Sequence, residues 1–236
     1  LGADILVDVY AVNESGGAPV FLLAHLPDGT TVRLDSTCGD DVKDDFEVCD
    51  GADLDGMTCG DMGFTAGTLG CAPGCGAFDT SGCFNQSSYC SMAPAAIPDN
   101  NINGVSIDID VPDDVTVLDV DVSVDISHTW LSDLDAVLMY NMTDTPMFSD
   151  IVQANNSGCS GNNMLAVLDD EAMMSIENQA CVNANVPAVD GTYMPEAPLD
   201  AYDGMSSLGT WTFFIADDAG GDIGTVNEVC VLITHD

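Results

Sequence analysis

The sequence predicts an all-β chain: a sandwich or jelly roll preceded by an N-terminal strand segment and a small disulfide-rich module. Three observations carry this. Apolar residues recur with period two along several segments, which gives a strand one buried and one solvent face. Gly, Pro, Asn and Asp punctuate those segments at turn positions. Seven of the ten cysteines fall between positions 38 and 90, which marks a cross-linked module rather than a core built by apolar burial alone. Composition therefore divides the chain into 1–37, without cysteine; 38–90, rich in Cys, Gly and Asp; and 91–236, strand-rich again.

The first strand signal is Asp4 to Tyr10, with Ile5, Val7 and Val9 on one face and Asp4 and Asp8 on the other. Val20 to His25 reads as a second strand. Leu26-Pro27-Asp28-Gly29-Thr30 has hairpin-turn chemistry, and Thr31 to Leu34 returns. Three strands in so short a segment bury too little to fold alone. They are expected to extend another sheet, in this chain or in a neighbouring copy. Ile107, Ile109 and Val111 then alternate with Asp108 and Asp110. Val120, Val122, Val124 and Ile126 alternate with Asp119, Asp121, Ser123 and Asp125. Leu134 to Tyr140, Met164 to Leu168, Thr210 to Ala216 and Val226 to Thr234 read as further strands, and Asp169 to Ile176 as one short helix.

Charge restricts the partners. The chain has 40 Asp and Glu against two basic residues, Arg33 and Lys43, for a formal net charge of −38. Nucleic acid requires a basic footprint, which two cations do not make; an anionic membrane surface and a phosphate clamp are excluded on the same ground. Disordered acidic tails combine high charge with low hydrophobicity, whereas 46% of this chain is apolar. The partners the charge calls for are cations. Asp119 and Asp121 stand about 7 Å apart on one strand face, where two carboxylates repel by roughly 0.6 kcal/mol in water and by more near protein. A solvated, screened face or a face that takes divalent cations would each relieve this. Such cations would also bridge to another subunit. An adaptation to high salt is a further reading of the charge.

An even cysteine count in this pattern reads as disulfides formed in an oxidising compartment. Zinc is the alternative at Cys71 and Cys75, whose spacing suits one ligand pair; His25, His128 and His235 are scattered. The chain starts at Leu1 with no basic or apolar leader, as a processed product would. No apolar run approaches the ~20 residues that span a bilayer. The expected location is extracellular, secreted or at the cell surface, without membrane insertion.

Residues 97–235 carry an ordered set of motifs: Ile97-Pro98-Asp99-Asn100-Asn101, Gly104-Val105-Ser106, Ile126-Ser127-His128-Thr129-Trp130 with Ser132-Asp133-Leu134, and Leu168-Asp169-Asp170-Glu171-Ala172. Gly191-Thr192-Tyr193-Met194-Pro195, Pro198-Leu199 before Asp203-Gly204, Gly209-Thr210-Trp211-Thr212 and Asp217 to Asn227 follow. Together they resemble the P domain, the β-sandwich beside the catalytic domain of proprotein-convertase-type subtilisin-like proteases, which also occurs in other secreted bacterial proteins. Leu168 stands where Phe is commoner. The resemblance implies a jelly-roll-like sandwich, a structural His128 at a strand end, and Trp130 and Trp211 in the core. Residues 38–83 resemble a cysteine-rich repeat of secreted myxobacterial proteins, through Cys38-Gly39-Asp40, Glu47-Val48-Cys49-Asp50-Gly51, Gly56-Met57-Thr58-Cys59, Gly63-Phe64, Gly67-Thr68-Leu69-Gly70-Cys71 and Cys75 to Cys83. On this division Cys38, Cys49, Cys59, Cys71, Cys75 and Cys83 pair among themselves in an order left open. Cys159 pairs with Cys181, and Cys90 with Cys230.

Calcium is the expected cofactor, because it takes six to eight hard oxygens and the resemblance implies calcium near the sandwich's acidic loops. The candidate ligands are Asp133 and Asp135 at a strand start, Asp169, Asp170 and Glu171 in one loop, and Asp217, Asp218 and Asp222 in a Gly-rich loop. Asp50, Asp53 and Asp55 form a second candidate with a D-x-D-G core, although Asp61 stands where an EF-hand frame would place Glu. Gly-x-Ser-x-Gly and His-Glu-x-x-His are absent from the sequence, and no enzymatic activity is expected. Asn13, Asn85, Asn141 and Asn155 fit the N-glycosylation pattern. The expected role is a calcium-stabilised, non-catalytic structural protein of the cell exterior. It would polymerise into a filament or surface assembly by N-terminal strand addition, so self-association or contact with other extracellular proteins is expected. The alternative is an accessory or ligand-binding module of a secreted protease or other hydrolase.

Overall fold

The computed structural model describes residues 8–12, 21–25, 31–33, 38–44, 47–91, 94–152, 157–178 and 180–235, with side chains from residue 38 onward. The chain is all-β and forms two compact units, Leu1–Phe84 and Asn85–Asp236.

In the first unit, β1 (Asp8–Val12), β2 (Phe21–His25) and β3 (Thr31–Arg33) make an antiparallel sheet in the order β1-β2-β3, with Asp8 opposite His25 and Leu23 opposite Arg33. These strands thus pair with one another. Ile5, Val7, the turn at 26–30 and Asn13 lie outside the described residues, as does Asn155 in the second unit. The described residues of this unit from Cys38 onward carry a 3-10 turn at Cys59–Met62 and the short strands β4 (Ala66–Gly67), β5 (Gly70–Cys71) and β6 (Phe78–Asp79). Three disulfides hold it, Cys38–Cys75, Cys49–Cys71 and Cys59–Cys83. They settle the order that the sequence leaves open, and they remove the zinc alternative, because Cys71 and Cys75 are each bonded elsewhere. A segment with so few buried apolar side chains relies on cross-links for its shape.

The chain leaves this unit along β7 (Cys83–Cys90). The sandwich strands that follow are β8 (Ala95–Ile97), β9 (Asn101–Val111), β10 (Asp119–His128), β11 (Leu134–Tyr140), β12 (Thr143–Phe148), β13 (Met164–Leu168), β14 (Val189–Tyr193), β15 (Gly209–Asp217) and β16 (Gly224–His235). One sheet runs β14-β13-β10-β16-β7, with β8 also on β16; the other runs β12-β11-β15-β9. Only β13 and β14 pair in parallel among these neighbours. Val120, Val122, Val124 and Ile126 of β10 face Ile107, Ile109, Val111, Phe213 and Ile215 from the other sheet within one contiguous core. Residues 85–90, which composition groups with the cysteine-rich module, are a sandwich strand. Cys90 stands opposite Cys230 across β7 and β16, and the two are bonded, as are Cys159 and Cys181.

Two sequence expectations fail here. Residues 169–176 form turns and a bridge, not a helix. The N–H groups of Asp169 and Ile176 go to the carbonyls of Tyr193 and Met194, at and just beyond the end of β14, while the Ala172 N–H closes a single turn on the Asp169 carbonyl. Trp130 is 42% exposed. The chain turns sharply after His128, and Leu131 takes the buried position. Trp211 is in the core as expected, stacked on Tyr140 at 4.0 Å, and its Nε1 donates to the Ser207 carbonyl at 3.0 Å.

Candidate cation sites

The strand register assembles the principal acidic cluster. Val122 of β10 stands opposite Leu168, the last residue of β13. The chain beyond Leu168 therefore runs back along the start of β10, which brings Asp169, Asp170 and Glu171 to Asp119 and Asp121. Alternation with buried Val120 and Val122 points both aspartates to the outer face. Asp119, Asp170 and Glu171 each offer a carboxylate oxygen within 4.8 Å of the others. Asp170 Oδ2 is fixed by the N–H groups of Leu199 (3.0 Å) and Asp200 (3.2 Å), and Asp169 Oδ1 accepts the Glu171 N–H at 2.8 Å.

The electrostatics report crowding without counter-charge. Partial burial, then the neighbouring Asp170, Asp169 and Asp203, raises Asp119 above the usual carboxylate range, against an opposing bond from the Val120 N–H. Burial, then Asp119 and Asp170, does the same to Glu171. Asp121 is pushed up to about 7 by burial and then by Asp119, Asp169, Glu171 and Asp170. Its Oδ2 accepts Gln86 Nε2 at 3.3 Å, while Oδ1 is buried without a hydrogen-bond partner. Of the predicted ligands, Asp170 and Glu171 thus converge. Asp119 joins them from the strand row that the sequence marks as either a solvated face or one that takes divalent cations.

The other sandwich candidates gather around a buried pair. His128 and Asp217 are both inaccessible to solvent, with Nε2 3.2 Å from Oδ2. His128 Nδ1 lies 2.9 Å from the Trp130 carbonyl oxygen and 3.1 Å from the Trp130 nitrogen, so both ring nitrogens are engaged. Asp217 Oδ1 accepts the Ala219 N–H at 3.1 Å. Asp222 Oδ1 accepts the Thr129 hydroxyl at 2.7 Å. Burial, then Asp217 and Asp222, raises Asp133, with His128 opposing and Asp218 adding to the shift. Burial, then Asp218, Asp150 and Glu196, raises Asp135. Among the described residues, these acids do not bring three ligand atoms within 4.8 Å of one another.

The carboxylates of Asp50, Asp53 and Asp55 are directed mainly at residues 39–43. Asp50 is fully buried and accepts the N–H groups of Gly39 (2.7 and 2.9 Å), Asp41 (3.2 Å) and Asp40 (3.4 Å). Asp53 accepts those of Lys43 (3.0 Å) and Asp55 (3.2 Å), and these bonds hold it below the usual range. Asp55 pairs with Lys43 Nζ at 3.6 Å. The three do not converge on one point. Sequence reasoning missed Glu47, three residues before Asp50, which is buried beside it; its place in the Glu-x-Cys-Asp-Gly run was the available signal. Cys90, Glu228 and Cys230 also lie together, but both sulfurs belong to a disulfide.

No family model matches the chain, and no curated protein matches it. Similar solved structures include the serine protease of Aeromonas sobria, at 15% identity and a TM-score of 0.42, covering 92% of this chain and 37% of that one. The complex of the Aeromonas sobria serine protease with the chaperone ORF2 aligns at 13% identity and a TM-score of 0.38, with the same coverage. The chain thus spans 37% of the length of these proteins.

Proposed function

We propose that the chain is a non-catalytic, calcium-stabilised module of the cell exterior, serving as the accessory or ligand-binding part of a secreted protease or other hydrolase. The observation that carries the calcium dependence is the convergence of Asp119, Asp170 and Glu171 within 4.8 Å, with no Lys or Arg in residues 44–236 to neutralise it. Hard carboxylate oxygens on a loop suit calcium. The P-domain resemblance of residues 97–235 supports the accessory role, and five disulfides support maturation in an oxidising compartment. The non-catalytic reading rests on His128. Both its nitrogens are engaged, by Asp217 and by the Trp130 backbone, so none is left to activate a hydroxyl. The test is a protease assay on the purified chain alongside a calcium titration. Bound calcium without peptide hydrolysis is expected; hydrolysis lost on substituting His128 would overturn the reading.

A second reading is a structural subunit that polymerises. It is supported by the order β1-β2-β3, in which β1 and β3 are the outer strands among the described residues, and an outer strand can accept a strand from another copy. Negative-stain images with calcium and with chelator separate the two: filaments that dissolve in chelator favour the subunit, and dispersed particles in both favour the module.

A further inference from the structure

Glu47 is 7% exposed, and its carboxylate is half satisfied. Oε2 accepts the Asp44 N–H at 3.0 Å. Oε1 is buried and has no hydrogen-bond partner. A buried carboxylate oxygen left alone is costly, so a proton, a water or a cation has to meet it. Its surroundings favour a cation. Carboxylate oxygens of Glu47 and Asp50 and the sulfur of Cys75 lie within 4.8 Å of one another, and all three residues are buried. Asp50 is held in place by the N–H groups of Gly39, Asp40 and Asp41, the kind of outer support that orients a metal-binding carboxylate. Lys43, the one basic residue between positions 38 and 84, is directed to Asp55 instead.

The donor set also selects the metal. Cys75 is bonded to Cys38, so its sulfur is no thiolate, and residues 38–84 contain no histidine. Zinc and other thiolate- or imidazole-seeking ions are disfavoured, and an oxygen-seeking ion is favoured. We propose that Glu47 and Asp50 hold a calcium ion inside the cysteine-rich module, with backbone carbonyls and water completing its shell. This site lies in the first unit and does not depend on the acidic cluster of the sandwich.

The test uses the full chain with its disulfides intact and calcium chloride as the only probe. Amide exchange at Gly39, Asp40 and Asp41 is followed with and without calcium, in the native chain, in Glu47→Gln and in Glu171→Gln. A calcium concentration one hundred times Kd is expected to slow exchange about 100-fold where opening releases the ion. The native chain and Glu171→Gln should show this slowing, and Glu47→Gln should not. Calcium-independent exchange at these amides in the native chain would overturn the proposal and assign Oε1 a proton or a water. Full protection by calcium in Glu47→Gln would overturn it equally. If Glu47→Gln does not fold, the native chain with and without calcium still decides.

Discussion

The pair His128 and Asp217 bears more on stability than any surface acid. Both side chains are sealed from solvent, and each is the other's partner at 3.2 Å. Removing one member of a buried pair leaves the other unsatisfied, at a typical cost of about 3–5 kcal/mol. Asp217→Ala is therefore expected to lower the urea-derived unfolding free energy by that amount, against a change near zero for Asp108→Ala on the exposed face of β9. Gly104 is a second residue with a specific demand. Its φ is +50°, and a Cβ there would run into the Ile215 carbonyl, where the β9–β15 register shifts. Gly104→Ala should destabilise by more than about 1 kcal/mol in the same assay. Neither demand was legible at full strength in the sequence. His128 was identified as structural by resemblance, but its partner, 89 positions away, is supplied only by the fold. Trp130 and Trp211 were indistinguishable as large aromatic residues; one lies beyond the end of a strand and the other lies within one.

The alternating strands were legible because burial on one face leaves a period-two pattern. β10, β11 and β13 occur where alternation or apolar runs placed them. The strands that were not read lack that pattern for physical reasons. β7 has four consecutive polar residues, Asn85 to Ser88, at its centre. β12 contains Pro146, tolerated because the strand lies at a sheet edge. β14 carries Asp190-Gly191 at its centre. The acidic cluster was half legible: the loop acids stood out by composition, but only the β10–β13 register brings them to Asp119. Glu177 illustrates a consequence of such crowding. Burial pushes it up to about 7, with Glu196, Asp150 and Asp135 adding to the shift and the Ser149 N–H opposing it. The folded state then holds a proton that the unfolded state, titrating near 4.5, has released. Stability from this group is present below about 4.5 and is lost as pH rises through about 7. In chelator, the melting temperature of the native chain should fall more between pH 5 and pH 8 than that of Glu177→Gln. Equal slopes would contradict this assignment.

At the scale of the molecule, cross-links and charge act in opposite directions. The Cys90–Cys230 disulfide joins positions 140 apart, and Cys159–Cys181 joins positions 22 apart. The chain-entropy model assigns them about 5 and about 3 kcal/mol. Replacing both cysteines of the longer bridge by serine should cost more than replacing those of the shorter, as read from urea unfolding. Against this stands a net charge of −38, which repels itself in the compact state and concentrates where Asp119, Asp170 and Glu171 meet. Screening and coordination are two different remedies for that repulsion, and thermal unfolding separates them. The decisive measurement is the melting temperature in calcium chloride and in sodium chloride at matched ionic strength, for the native chain and for Glu171→Gln. Calcium at one hundred times Kd should raise the native melting temperature by about 5–10 °C over sodium, and the rise should shrink in Glu171→Gln. Identical melting temperatures in the two salts would contradict calcium coordination and leave screening as the only role of cations.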